Sequence, residues 1–401
     1  MKTWIIEPRD SLIVRDGRPF GLGAGMRATS LDFPFPSTMT GGVRTRAGLD
    51  AQGIFDKNLI GAIKGISVRG PLLVELDQNT GAIIDWLMPA PADALLMRDE
   101  GGDKRAEVKR LAPINASQGL TNLSEVSDDL LPVGRTPEQN EHRQKPLDEA
   151  PRYWRWEHFS QWLIGAQDFS IELKSLGHSG PEKDSRVHAS INASLTTGQT
   201  GENNLFQTRG LEFRCSLSEK KLQDTKRLAL VVFVDDSAQA QNIKSGIAPL
   251  GGERRLVVWR EDKTGQANHI HQCPDKIKEE ISESGYCRLI LITPTFFKSG
   301  SYPEKLLQMQ SGITPKLKAV VHNRYQVVSG WDFEIDEPKP TRRLVPSGAV
   351  LFLEIDGGKD KREEWIEKTW LSCVSDTETE SKDGFGLAVL GAWDGKLLEM
   401  R

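Results

Sequence analysis

His188 is the side chain whose type best suits acid–base chemistry. It stands in Arg186-Val187-His188-Ala189-Ser190-Ile191, where polar and apolar residues alternate as in a strand, so that it could face a groove or pair within the core. Phosphodiester cleavage by general acid–base catalysis needs a second proton-transfer group beside such a histidine, and the sequence places none securely. His269, His271 and Cys273 have the types of zinc ligands, but no fourth ligand lies at finger-like spacing and Cys287 is farther downstream. That stretch reads as a polar loop. Gly101-Gly102-Asp103-Lys104 has the outline of a nucleotide-cyclase metal turn, yet Lys104 stands where a second carboxylate would be required. Gly395-Lys396 lacks the Ser or Thr of a phosphate-binding P-loop, and Gly21-Leu22-Gly23-Ala24-Gly25 has no evident strand-to-helix setting. The expectation is therefore a chain with no catalytic residue, no metal ligand and no cofactor.

The glycines suit binding better than catalysis. The terminal run Gly384 to Gly395 (GFGLAVLGAWDG) sets Gly384, Gly386 and Gly391 around a strand-like core, so that backbone amides could approach a phosphate. It shares features with the RNP1 pattern of RNA-binding proteins, but Asp383 replaces a basic residue, and Leu387 and Leu390 replace aromatics. Simple turns around a strand remain an equal reading.

The elements that must position these residues follow from periodicity. Trp4 to Glu7 and Leu12 to Val14 read as short strands around a turn at Pro8-Arg9-Asp10. A long loop follows from Asp16 to Phe35. Pro36-Ser37-Thr38 offers an N-cap to a helix whose buried face is Met39, Val43, Ala47 and Leu49, and Gly41 and Gly42 leave room against its first turn. Residues 68 to 76 and 82 to 88 read as a hairpin, giving the order strand, helix, strand, strand that opens a ferredoxin-like βαββαβ unit.

The polar segment 98–150 reads as an insertion. Trp156, Phe159 and Leu163 recur at helical spacing, which favours core packing over base stacking. Strands near 227–234, 255–260, 288–293, 318–321 and 348–355, with helices near 275–283 and 361–373, suggest a second unit. The predicted fold class is α+β, with a module over 1–215 and another over 216–401.

Composition bounds the partners. The net charge of −4 across 401 residues argues against a protein that coats nucleic acid through its overall field, so any phosphate grip must be local. From Ser37 to Gly70 five basic residues face two acidic ones, whereas Glu354 to Asp383 holds ten acidic and five basic residues. A basic groove and an acidic, partner-facing surface would fit this polarity. The four cysteines are scattered without a CxxC pair, and no apolar run has signal-peptide or membrane-spanning length, so a cytoplasmic protein without membrane contact is expected.

Several blocks together resemble one family. WIIEPRDSLIVRDGRPFG, SLDFPFPSTMTGGVRT, RVHASIN, TGENNLFQTRGLEF, PLGGERRLVVWR, LITPTFF, VSGWD, PKPTRRLVPSGAVLFLE and GFGLAVLGAWDG resemble, in order, the third-numbered subunit of the type III-B CRISPR effector, the Cmr complex, within the RAMP superfamily. The resemblance implies two ferredoxin-like modules, a glycine-rich C-terminal loop, and a non-catalytic antiviral role in capturing the 5′ tag of crRNA. It also implies a place beside the large signalling subunit and the adjacent backbone RAMP subunit.

Candidate RNA contacts are then Arg9, Arg15, Arg18, Phe20 and Arg27 on the N-terminal loop, with Ser37, Thr38 and Arg44 at the start of the helix. Arg44 and Arg46 lie roughly 200° apart on a helix, and Arg44 is the one chosen. His188, Arg342, Arg343, Gly384 and Gly386 complete the set, together with the Gly201-Glu202 turn. The alternatives are a metal-independent RNA-processing endonuclease and a pure protein scaffold.

Overall fold

The computed structural model describes residues 1–15, 27–28, 30–98, 104–115, 130–135, 145–189, 205–216, 225–265, 270–332 and 334–399. The chain is a mixed α+β protein built mainly on antiparallel sheets. Strand β1 (Lys2–Pro8) is buried on both faces, with Trp4 and Ile6 on one side and Ile5 on the other. Leu12 and Ile13 make isolated bridges instead of the second strand expected there.

Helix α1 (Pro36–Ala47) starts on a proline, whose missing N–H falls where a first turn has no intrahelical acceptor. Its cap is the extended Phe35, with no side-chain bond, so Ser37 and Thr38 lie inside the first turn and do not cap it as expected. The buried stripe is Met39, Val43 and Ala47. Strands β2 (Val68–Leu76) and β3 (Ile83–Pro89) form the expected hairpin, its turn held by Asp77 Oδ1, which accepts from the N–H groups of Asn79 and Thr80.

After this hairpin the chain makes β4 (Tyr153–Arg155), α2 (Trp156–Ile164), β5 (Glu182–Ala189) and β6 (Leu205–Glu212) before β7 (Thr225–Val234) and β8 (Leu256–Glu261). Strand β7 pairs antiparallel with β1 on one side and β2 on the other, while β8 takes the free edge of β1. Every residue of β7 from Leu228 to Val234 is buried, the pattern of a central strand covered on both faces. The strand between β1 and β2 is therefore β7, not the hairpin partner β3, and residues 77–224 are inserted between the second and third strands of this sheet. The expected module boundary at 215/216 falls between β7 and β8 and the strands they pair with.

The remaining chain forms α3 (Asp275–Ser284), β9 (Tyr286–Leu291), β10 (Lys316–Val321), β11 (Gln326–Asp332), β12 (Glu337–Leu344), β13 (Val350–Glu354), α4 (Lys359–Thr369) and β14 (Ala388–Ala392). A four-stranded antiparallel sheet runs β10-β13-β9-β14, and β11 and β12 pair only with each other as a ribbon. The first sheet's core order is β8-β1-β7-β2. Numbered by chain position, both sets of four strands share the order fourth, first, third, second. Between first and second strands the first set carries α1 and the second set no helix; between third and fourth strands the second set carries α4 and the first no α-helix.

One apolar cluster joins Ile5, Val74, Val231 and Phe233 of the first sheet to Leu289, Leu351 and Leu390 of the second and to Phe159 and Trp162 of α2. The expected aromatic stripe thus faces the core. A second cluster, including Trp4, Val43, Val232 and Trp259, fills the side under α1.

Candidate nucleic-acid interface

Residues 30–36 run along the junction of the two sheets. Ser30 Oγ accepts from the Val14 N–H at 3.0 Å and donates to the Val14 carbonyl at 3.1 Å, tying the start of this segment to the core. Phe33 then tilts against Tyr153, and Phe35 against Phe385, at ring separations of 5.6 and 6.4 Å. Together with Ala150 to Tyr153, Ile292 to Pro294 and the base of the ribbon, the segment lines an open cavity of about 640 Å³.

The charges around this cavity fall into two kinds. Asp32 is engaged, with Arg152 at 3.1 Å and Lys183 at 2.5 Å. Burial pushes its carboxyl up, but these bonds and charges outweigh burial and hold it below the usual carboxylate range. Arg324 and Arg343 are exposed, and no carboxylate pairs with either among the described residues. The loop before Arg324 is fixed by His322, whose ring nitrogens lie 2.8 Å from Ser301 Oγ and 2.6 Å from the Asn323 carbonyl. A carbonyl can only accept, so the proton sits on Nδ1. Gln326 leaves its Oε1 buried without a donor in the cavity wall.

A family model described as CRISPR-associated protein (Cas_Cmr3) matches residues 4–393, which takes in both sheets and the junction. The chain belongs to the Cas_Cmr3 family. Among solved structures, the type III-B Cmr-beta complex bound to cognate target RNA and AMPPnP contains a chain 16% identical, with a TM-score of 0.44 over 88% of this chain and 86% of that chain. The same complex bound to cognate target RNA gives 16% and 0.45 over the same shares. The Csm3–Csm4 subcomplex of the type III-A interference complex gives 12% and 0.31, over 90% of this chain and 97% of that chain. No curated protein matches.

In this Cas_Cmr3 chain the predicted site residues separate into several groups. Arg9 is exposed in the turn after β1, and Arg15 pairs with Glu253. Arg18, Phe20 and the Gly201-Glu202 turn lie outside the described residues. The backbones of Arg27 and His188 lie in strands, opposite Gln207 and Phe206, while their side chains fall outside what is described. Ser37 and Thr38 are half-buried in the first turn of α1.

Arg44, a candidate RNA contact by sequence, is engaged inside the fold. It pairs with Asp383 at 2.7 Å and donates to the Ile66 carbonyl at 3.0 Å. Arg46 diverges from it as expected, donating to the Lys244 carbonyl and lying 5.3 Å from the centroid of Trp259. The basic surplus counted between Ser37 and Gly70 is thus partly engaged inside the fold, Lys64 also pairing with Glu334.

Arg342 is likewise engaged, paired with Glu380 and 5.6 Å from the Phe296 centroid, whereas its neighbour Arg343 lies over Tyr325 on the exposed side of the ribbon. Gly384 and Gly386 have φ of +93° and +86°, and a Cβ on Gly384 would stand 2.8 Å from the Gly70 carbonyl oxygen. Both are buried, and their freedom serves the close approach of protein backbone.

Other chemistry is quiet. Burial pushes the thiols of Cys273 and Cys373 up to about 12, and Cys287 is raised as well, so none of the three is a thiolate near neutral pH. His271 packs edge-on against Phe233 at 4.5 Å, and among the described residues no three His, Cys, Asp or Glu side chains gather around a metal position. The acidic stretch is partly neutralised locally, Glu367 by Lys278, Glu364 by Lys368 and Glu378 by Lys382. No helix among the described residues is long and apolar enough to cross a membrane.

The residues that sequence reasoning missed are Arg324 and Gln326 in the cavity wall, with Tyr325 exposed between them. Their signal was the interleaving of a cation and an aromatic in Arg324-Tyr325, a pattern that single-stranded nucleic acid rewards.

Proposed function

We propose that this chain is a non-catalytic, crRNA-binding subunit of a cytoplasmic type III-B Cmr effector. It holds the single-stranded 5′ tag along the junction of its two sheets and bridges the large signalling subunit to the adjacent backbone RAMP subunit. The two sheets, with their shared strand order, are read as two ferredoxin-like RAMP modules that have each kept a different helix.

The observation that carries the RNA reading is Arg324, exposed in the wall of a cavity of about 640 Å³, with Arg343 exposed opposite Val327 of the same wall, neither paired with a carboxylate among the described residues. A single strand offers phosphates to such cations and unstacked bases to a neighbouring recess, while an overall charge of −4 keeps non-specific attraction weak.

The test measures binding and integrity of labelled crRNA with native or scrambled 5′ tag, using this chain with its neighbouring subunits. Arg324→Ala is expected to weaken tag binding and to lower the slope of log affinity against log salt by about 0.7, the share of one single-strand phosphate contact. RNA cleavage abolished by His188→Ala would replace this reading with an endonuclease. Equal binding of native tag, scrambled tag and variant would leave a scaffold.

A further inference from the structure

The ribbon is bipolar. Its tip from Trp331 to Glu337 carries Asp332, Glu334, Asp336 and Glu337, with Lys339 opposite Gly330 just behind them, whereas its base carries Arg324 and Arg343 beside the engaged Arg342. On the inner face Val328 and Leu344 are buried with Phe35 and Phe385. On the outer face Val327 stands opposite Arg343 in the register, and the Arg343 guanidinium lies 5.0 Å from the centroid of Tyr325. Tyr325 is 50% exposed and Val327 46%.

We propose that this outer face is a stacking platform for one unpaired nucleobase of single-stranded RNA. Tyr325 and Val327 supply the surface, Arg343 holds the ring from the side of the ribbon, and Arg324 takes an adjoining phosphate at the cavity mouth. The proposal rests on the RNA reading above and adds the subsite. A guanidinium plane on a phenol ring extends a flat, cationic surface that suits a base and its phosphate together. Asp332, Asp336 and Glu337 at the tip repel phosphate, Glu334 being paired with Lys64, so the strand crosses the ribbon at its base and does not run along it. Charge complementarity therefore selects a polyanion at one end only.

The experiment uses the full chain with its neighbouring subunits and a short single-stranded RNA of its crRNA tag sequence, with 2-aminopurine placed at one position at a time. Binding should quench the fluorophore at one position. Tyr325→Leu should abolish that quenching and weaken binding about 5- to 160-fold, the range of one base–aromatic stack. An RNA abasic at that position should bind both proteins equally. Arg343→Lys keeps the charge and the salt slope but should lose part of the quenching.

Unchanged thermal midpoints establish that these exposed variants fold. Quenching and affinity unaltered by Tyr325→Leu overturn the platform while leaving the RNA grip standing, and so does a loss equal for intact and abasic RNA. Loss of a neighbouring subunit with RNA binding intact also overturns it, in favour of a protein-docking face. A wild-type chain that binds no RNA overturns both.

Discussion

At the scale of single residues, Gly384 shows how one sequence feature supports two structures. A glycine-rich run is compatible with phosphate-binding amides, and equally with two stretches of protein backbone packed too closely for a Cβ. Here the Gly70 and Val68 carbonyl oxygens would lie 2.8 and 2.9 Å from that atom, and φ is +93°. Gly384→Ala is therefore expected to destabilise the fold by about 2 kcal/mol or more, from left-handed strain and overpacking together. The urea midpoint reports it. A variant of unchanged midpoint but weakened RNA binding would return the residue to the phosphate-contact reading. Arg44 teaches the same lesson: its position on the first helix was legible, but Asp383, its partner, lies at the far end of the chain.

At the scale of elements, the inserted segment is fastened to the second sheet by a buried ion pair. Asp93 and Arg288 are 2.6 Å apart with side chains 0% and 2% exposed. Trp162 Nε1–H of α2 donates to Asp93 at 2.9 Å, and Arg288 donates to the carbonyl oxygens of Trp162 and, at 3.0 Å, Ala392 of β14. Asp93→Ala would leave a guanidinium buried without its counter-charge, and the expected cost is about 3–5 kcal/mol, read from chemical denaturation. The double variant with Arg288→Met should recover much of that loss, because it removes the stranded charge; a double variant no more stable than Asp93→Ala would show that packing, not charge, sets the cost.

At the scale of the whole molecule, the two sheets share one core. Ile5 and Phe233 of the first belong to the same buried cluster as Leu289 and Leu390 of the second. Calorimetry of the full chain is accordingly expected to give a single cooperative transition. A fragment of residues 1–215 should show none, because it lacks β7 and β8 and leaves both edges of β1 unpaired. Two separate transitions, or a cooperatively melting fragment, would restore a boundary near 215.

The sequence by itself determined the elements that local pattern controls. The β2–β3 hairpin, α1, the aromatic stripe of α2 and the strands of the second sheet follow from alternation, helical spacing and turn residues within a few positions. It also carried the ordered blocks by which the family was recognised. Only the tertiary structure decided that β7, arriving after the insertion, displaces β3 from the place beside β1, since that choice turns on burying both faces of an apolar strand against residues far away in the chain. It likewise decided which arginines are engaged and which remain open. A cation's sequence neighbours do not reveal the carboxylate that folding brings to it, and this is why Arg44 and Arg342 were legible as basic residues but Arg324 and Arg343 became legible as a site only at the junction of the two sheets.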